Sequence, residues 1–294
     1  MDLVHHQITI NDAKLSYFER SGHNAVTVLL SHATGFHGRC WDGVLNYLPP
    51  NYRVIVLEHR GHGRSEKVGP YDWKTFGDDL VGFIQELNLN NLVAVGHSMG
   101  GMTVLYAAAK ELSRFKELLL LDPVIMELSF YEGGPPFPEY SDVKEHPVAK
   151  RVNRWQSVDA MFEKFKSRYP FSLWKPEILY AYCQFGIEED SDTLEPEKPF
   201  QLCCPPEVEA SIYMGNNRFN PHQILDAAQL PVTVFRAVER PKDRVLMDFS
   251  KSPTWPHLAS SLPDAKDVYL PYLSHFIPMQ DPLLVATQIN QIIA

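Results

Sequence analysis

Ser98 lies in Gly96-His97-Ser98-Met99-Gly100, directly behind the apolar run LVAV and ahead of MTVLYAAAKEL. A turn this sharp between a buried strand and a helix forces strain on the serine and needs glycines where the two segments cross. It also lifts the serine oxygen above the strand end, beside the free N–H groups and positive dipole end of a helix opening near Met99. Those features suit a nucleophile. The competing reading is a glycine-rich turn with serine as polar filler.

A serine hydroxyl is a weak nucleophile until a base takes its proton. His275, in YLSHFIP, follows the last apolar strand and precedes the closing helix. In an open parallel sheet such a loop emerges on the same edge as the Ser98 turn, where ligands collect. Negative charge developing on a substrate carbonyl needs donors as well. HATGF (32–36) ends another apolar run on that edge, so the N–H groups of Thr34 and Met99 are the predicted oxyanion donors.

The elements that must position these residues follow from periodicity. HHQITI and KLSYFER read as a hairpin turning at Asn11-Asp12. VTVLLSH (26–32), RVIVLEH (53–59), LVAVG (92–96) and LLLLD (118–122) are continuous apolar runs, as for strands buried on both faces. FGDDLVGFIQELN (76–88) and MTVLYAAAKEL (102–112) are amphipathic or apolar at helical spacing. This alternation predicts an α/β protein with a mostly parallel central sheet flanked by helices. After Pro123 the texture shifts to prolines, aromatics and helical pieces such as DAMFEKFKSRY and PEILYAYCQFG. Strand character resumes at LPVTVFRA (230–237) and DVYLPYLSHF (267–276), and DPLLVATQINQII (281–293) closes as a helix. The predicted organisation is a core of residues 1–123 and 229–294, interrupted by a mainly helical insertion at 124–228 large enough to form a lid.

The formal net charge of −9 argues against nucleic acid as a partner, because phosphate neutralisation needs clustered Lys and Arg. Cys40, Cys183, Cys203 and Cys204 form no CxxC pair and read as buried thiols in a reducing compartment. The N-terminal residues lack the basic start and apolar stretch of a secretory signal, and no apolar run reaches the roughly 20 residues of a membrane helix. The expectation is a cytoplasmic protein acting on a small molecule, without metal or other cofactor.

Taken together, these segments resemble the α/β-hydrolase fold superfamily over essentially the whole chain. HATGFHGRCW resembles its oxyanion loop, with Ala33 where glycine is usual. LEHRGHGRS (57–65) resembles its DxRGxGxS segment, with Glu58 for aspartate; His59, Arg60 and His62 there shape the loop and carry no catalytic role. GHSMGG is similar to its nucleophile elbow, and SHFIPMQDP (274–282) to its histidine segment, with Ser274 for glycine. The resemblance implies a triad acid that orients the histidine. In most members it follows the seventh strand in a glycine-x-x-aspartate turn, which is missing here. Asp122, at the end of LLLLDP, is the favoured candidate; a carboxylate fixed at a strand terminus is well preorganised, and some dehalogenase-type relatives place the acid there. Asp248, Asp243 and Glu239 remain open.

Aspartate at the elbow serves the haloalkane dehalogenases and epoxide hydrolases of this fold, so Ser98 argues against both. The resemblance and the serine imply hydrolysis of small, partly apolar carboxylic esters through an acyl-enzyme. Thioester and carbon–carbon bond hydrolysis on the same triad, or a non-turnover ligand receptor, are the alternatives. Trp155, Phe162, Phe165, Tyr169, Phe171, Trp174, Tyr180 and Tyr182 suit an aromatic lid, most of them as its core. Arg151, Arg154, Lys164, Lys166 and Arg168 read foremost as a solvated helix face, with attraction of a substrate carboxylate as the alternative.

Overall fold

The computed structural model describes residues 3–133, 140–191, 194–195, 197–215, 218–241, 248 and 250–294. Strands β1 (Val4–Ile10) and β2 (Ala13–Arg20) form the antiparallel hairpin, turning at Asn11, whose φ is 53°. The next four apolar runs become β3 (Thr27–Ser31), β4 (Arg53–Glu58), β5 (Leu92–His97) and β6 (Phe115–Leu121). The segment after β6 carries the helices Val158–Phe165, Pro176–Phe185 and Pro206–Gly215. It also carries β7 (Arg154–Trp155), β8 (Ile187–Glu189) and β9 (Phe200–Leu202), paired antiparallel in the order β7-β9-β8. This small sheet was not expected; strands of two or three residues are too short to show a period of two. The main sheet is completed by β10 (Val232–Arg236) and β11 (Ala265–Tyr269).

The eight strands lie in the order β1-β2-β4-β3-β5-β6-β10-β11, parallel from β4 through β11. Side chains along each central strand alternate between two cores. Leu29, Ile55, Ala94 and Leu118 pack with the helices Trp73–Glu86 and Met99–Lys110. Val28, Val54, Val93 and Leu119 pack on the other side with the helix Pro282–Ile293. Burying each such aliphatic side chain contributes about 1.5–3 kcal/mol, which is why these runs carry no polar residue until their ends. Chain direction across the sheet reverses between β3 and β5, since β3 leads to β4 on one side and β5 to β6 on the other. The crevice at the carboxyl ends of β3 and β5 is therefore the switch point, where α/β sheets bind ligands. A third cluster, including Trp155, Phe165, Trp174 and Tyr182, joins the segment after β6 to Phe36 and Phe276 of the loops leaving the sheet.

Candidate active site

Ser98 leaves β5 with φ 60° and ψ −119° and opens the helix Met99–Lys110. The strained conformation is held from both sides. Its N–H donates to the carbonyl of Leu121 at 3.0 Å, and its carbonyl accepts from Gly101 at 3.0 Å and Val124 at 3.2 Å. Glycine is required where the backbones cross. A Cβ on Gly96 would stand 2.2 Å from the Gly100 oxygen, and one on Gly100 would stand 2.2 Å from the Ser31 oxygen.

His275 Nε2 lies 3.0 Å from Ser98 Oγ, and His275 Nδ1 lies 2.6 Å from Asp122 Oδ2. A carboxylate only accepts, so Nδ1 carries the hydrogen and Nε2 presents its lone pair to the serine. The other oxygen of Asp122 accepts from Ser252 Oγ at 2.5 Å, the Ala237 N–H at 3.0 Å and Thr254 Oγ1 at 3.1 Å. Asp122 is wholly buried, and its φ of 47° turns it out of β6. Its carboxylate is thus locked by three donors before the imidazole arrives. The backbone of His275 is fixed too: its N–H donates to Ser250 O at 3.1 Å, and its carbonyl accepts from His97 Nε2 at 2.8 Å.

Of the three acid candidates among the described residues, Asp122 is the one beside His275. Glu239 is exposed and pairs with Arg236 at 3.4 Å. Asp248 accepts from the N–H and hydroxyl of Ser250, at 3.1 and 2.5 Å. Asp243 lies outside the described residues. Thr34 is buried beside Met99, its hydroxyl 3.3 Å from the Met99 sulfur. Among the described residues, no hydrogen bond takes up the N–H of Thr34 or that of Met99, which opens its helix and has no carbonyl one turn behind.

Three buried histidines brace the loop that carries Thr34. His62 Nε2 accepts from the Gly35 N–H at 3.0 Å, His32 Nε2 accepts from the His59 N–H at 3.1 Å, and His59 Nε2 contacts Ser31 Oγ at 2.7 Å. Burial holds all three imidazoles neutral, lowering the pKa of His32 to about 4 and those of His59 and His62 well below the usual value. Glu58 joins the same loop by accepting from Gly38 and Arg64 N–H at 3.0 and 2.7 Å, while burial pushes its carboxyl above the usual range.

Sequence reasoning missed His97, Ser252 and Thr254. His97 occupies a position the elbow pattern leaves free, and SKSPTW bears no motif, so neither offered a signal before the loops were placed.

Ser98, His275 and Thr34 line a cavity of about 530 Å³. Phe36, Trp73, Trp155, Phe165, Phe171 and Tyr182 supply apolar wall. Phe162 and Tyr180 instead pack on each other at 5.5 Å, and Trp174 packs 5.2 Å from Phe276. The cationic group divides. Arg154 pairs with Asp190 and Lys166 with Glu163, whereas Arg151, Lys164 and Arg168 line the cavity, correcting the expectation of one solvated face. Arg151 forms a close ion pair with Glu209, whose carboxylate abuts Gly35 of the oxyanion loop.

Residues 26–167 match a family described as alpha/beta hydrolase fold. The chain is 30% identical over 137 residues to non-heme chloroperoxidase CPO-A1 of Kitasatospora aureofaciens, covering 45% of this chain and 50% of that protein. It spans about half the length of the non-heme chloroperoxidases it matches. Among solved structures, E-2-(acetamidomethylene)succinate hydrolase superposes with a TM-score of 0.77 at 17% identity, covering 99% of both chains. A thermophilic esterase from Thermogutta terrifontis superposes with a TM-score of 0.65 at 24% identity, covering 99% of this chain and 97% of that one. The chain has the α/β-hydrolase fold, matched by the family model over residues 26–167 and by the superposed structures along its whole length.

Proposed function

We propose that this protein is a serine hydrolase that cleaves carboxylic esters of small, partly apolar substrates through an acyl-enzyme. The observation that carries this reading is the hydrogen-bonded path from Asp122 through His275 to Ser98 Oγ. As Oγ attacks the ester carbon, His275 Nε2 takes its proton, and Asp122 stabilises the imidazolium. The N–H groups of Thr34 and Met99 receive the oxyanion; one such donor is worth about 3 kcal/mol to the barrier. The leaving alcohol then takes the proton from Nε2. Water attacks the acyl-enzyme with His275 again as base, releasing the acid and restoring Ser98. Residues 124–228 act as a cap over a core of 1–123 and 229–294, and the aromatic wall they contribute suits a partly apolar substrate. The thermophilic esterase of the same fold is consistent with this chemistry.

Hydrolysis of p-nitrophenyl acetate and butyrate tests the reading. The native protein turns over many equivalents, Ser98→Ala none, and His275→Ala loses at least about a thousandfold in kcat while its melting temperature stays close to native. Release of a single equivalent, with no further turnover, would instead identify a receptor that retains the triad.

A further inference from the structure

The chain as a whole carries a net charge of −9, yet the cavity over Ser98 is lined by six cations and, among the described residues, one carboxylate. The cations are Lys150, Arg151, Lys164, Arg168, Arg240 and Lys251; the carboxylate is Glu209. Glu209 neutralises Arg151, and Lys164 stands 5.1 Å from the Trp155 ring. Among the described residues, no ion pair engages Lys150, Arg168, Arg240 or Lys251. Among the described residues, cations thus outnumber carboxylates in the cavity lining, and the negative charges acting on Arg240 are Asp248 and Asp122.

Two residues that line the cavity also carry a buried donor without a partner among the described residues. Arg240 follows β10 and lines the cavity, and its Nε is buried without a hydrogen-bond partner among the described residues. The indole N–H of Trp155, a lining side chain 6% exposed, is likewise buried and unpartnered among the described residues. Native proteins seldom leave such groups unsatisfied, because each forfeits its hydration for nothing. An anionic group in the cavity would be matched by the guanidinium of Arg240, one of its lining cations. The planar fork of an arginine matches a carboxylate in two parallel hydrogen bonds.

We infer that the substrate is an ester that itself carries a carboxylate, anchored in this cavity by Arg240, with its apolar body on the aromatic wall. The inference rests on the proposed hydrolase reading and narrows its substrate class.

The test compares kcat/KM for p-nitrophenyl butyrate, mono-p-nitrophenyl glutarate and the butyryl ester of 4-hydroxybenzoate, placing the carboxylate nowhere, on the acyl side or on the leaving side. One of the charged esters is expected to exceed the neutral one by about tenfold or more, a ratio that shrinks at high salt as rim charges are screened. Arg240→Gln is expected to bring that ratio towards one. Ser98-dependent turnover with no preference for either charged ester overturns the inference and leaves the hydrolase reading standing. If no ester is turned over, the hydrolase reading fails, and the inference is judged by binding to Ser98→Ala. There 4-phenylbutyrate should raise the melting temperature and 4-phenylbutanol should not; equal or absent shifts overturn it.

Discussion

Asp122 Oδ2 and His275 Nδ1 stand 2.6 Å apart although 153 residues separate them in the chain. The contact exists because β6 and β10 are neighbours and the loop after β11 folds back over their ends. Three donors hold one carboxylate oxygen, which aims the other at the imidazole. In the proposed mechanism, acid and base are therefore prepositioned before substrate arrives.

Asp122→Asn preserves shape but changes the proton inventory. The three donors keep the amide oxygen facing them, so the NH2 group points at His275 Nδ1. The imidazole must then carry its hydrogen on Nε2 and can no longer accept from Ser98. Steady-state kinetics should show kcat reduced by about a thousandfold or more. Glu239→Gln and Asp248→Asn should stay within a few-fold of native; a large loss in either one, with Asp122→Asn active, would move the acid elsewhere.

Gly100→Ala should break the elbow rather than the chemistry alone. The added Cβ would sit 2.2 Å from the Ser31 oxygen and 2.7 Å from the His32 oxygen, both backbone atoms that cannot swing aside. Urea titration should report a loss of at least about 2 kcal/mol, or no soluble protein at all. Any folded fraction should label poorly with a fluorophosphonate, because Ser98 is displaced with the turn. Native stability and labelling together would show that the crossing is looser than the distances imply.

Mild acid should destabilise the fold through its buried histidines. Burial lowers the His32 pKa from the usual 6.5 to about 4, and burial depresses His59, His62 and His97 as well. Between those two values the unfolded chain binds the proton that the folded ring refuses. Stability contributed at neutral pH is thus lost as pH falls from about 6.5 towards about 4. At about 1.4 kcal/mol per unit, His32 alone accounts for about 3 kcal/mol over the window. Urea unfolding at pH 7, 5.5 and 4.5 measures the slope. His32→Gln should begin less stable at pH 7 and decline less steeply; an equal slope would remove His32 from the account.

Much of this architecture is local in origin and so could be read from residues alone. The hairpin turn at Asn11, the four buried strands from Thr27 to Leu121 and the elbow at Ser98 each depend on neighbours within a few positions. Apolar runs, helical spacing and glycines report such short-range demands directly. Loop placement at the switch point follows from strand order, which made His275 and Thr34 recognisable as well.

Which carboxylate lies beside His275 was decided by packing. Along the chain Asp122 is only the favoured of four carboxylates, with Asp248, Asp243 and Glu239 open, and what separates the described ones is which loop the β10 neighbourhood leaves room for. The positive φ of Asp122 and the donors at Ala237, Ser252 and Thr254 come from segments more than a hundred residues away. The cationic wall has the same cause: Arg151, Lys164 and Arg168 share a stretch with Arg154 and Lys166, and the fold of the 124–228 segment alone chose which of them face the cavity. Periodicity determines which side of an element is buried, but not what another part of the chain will bring to meet it.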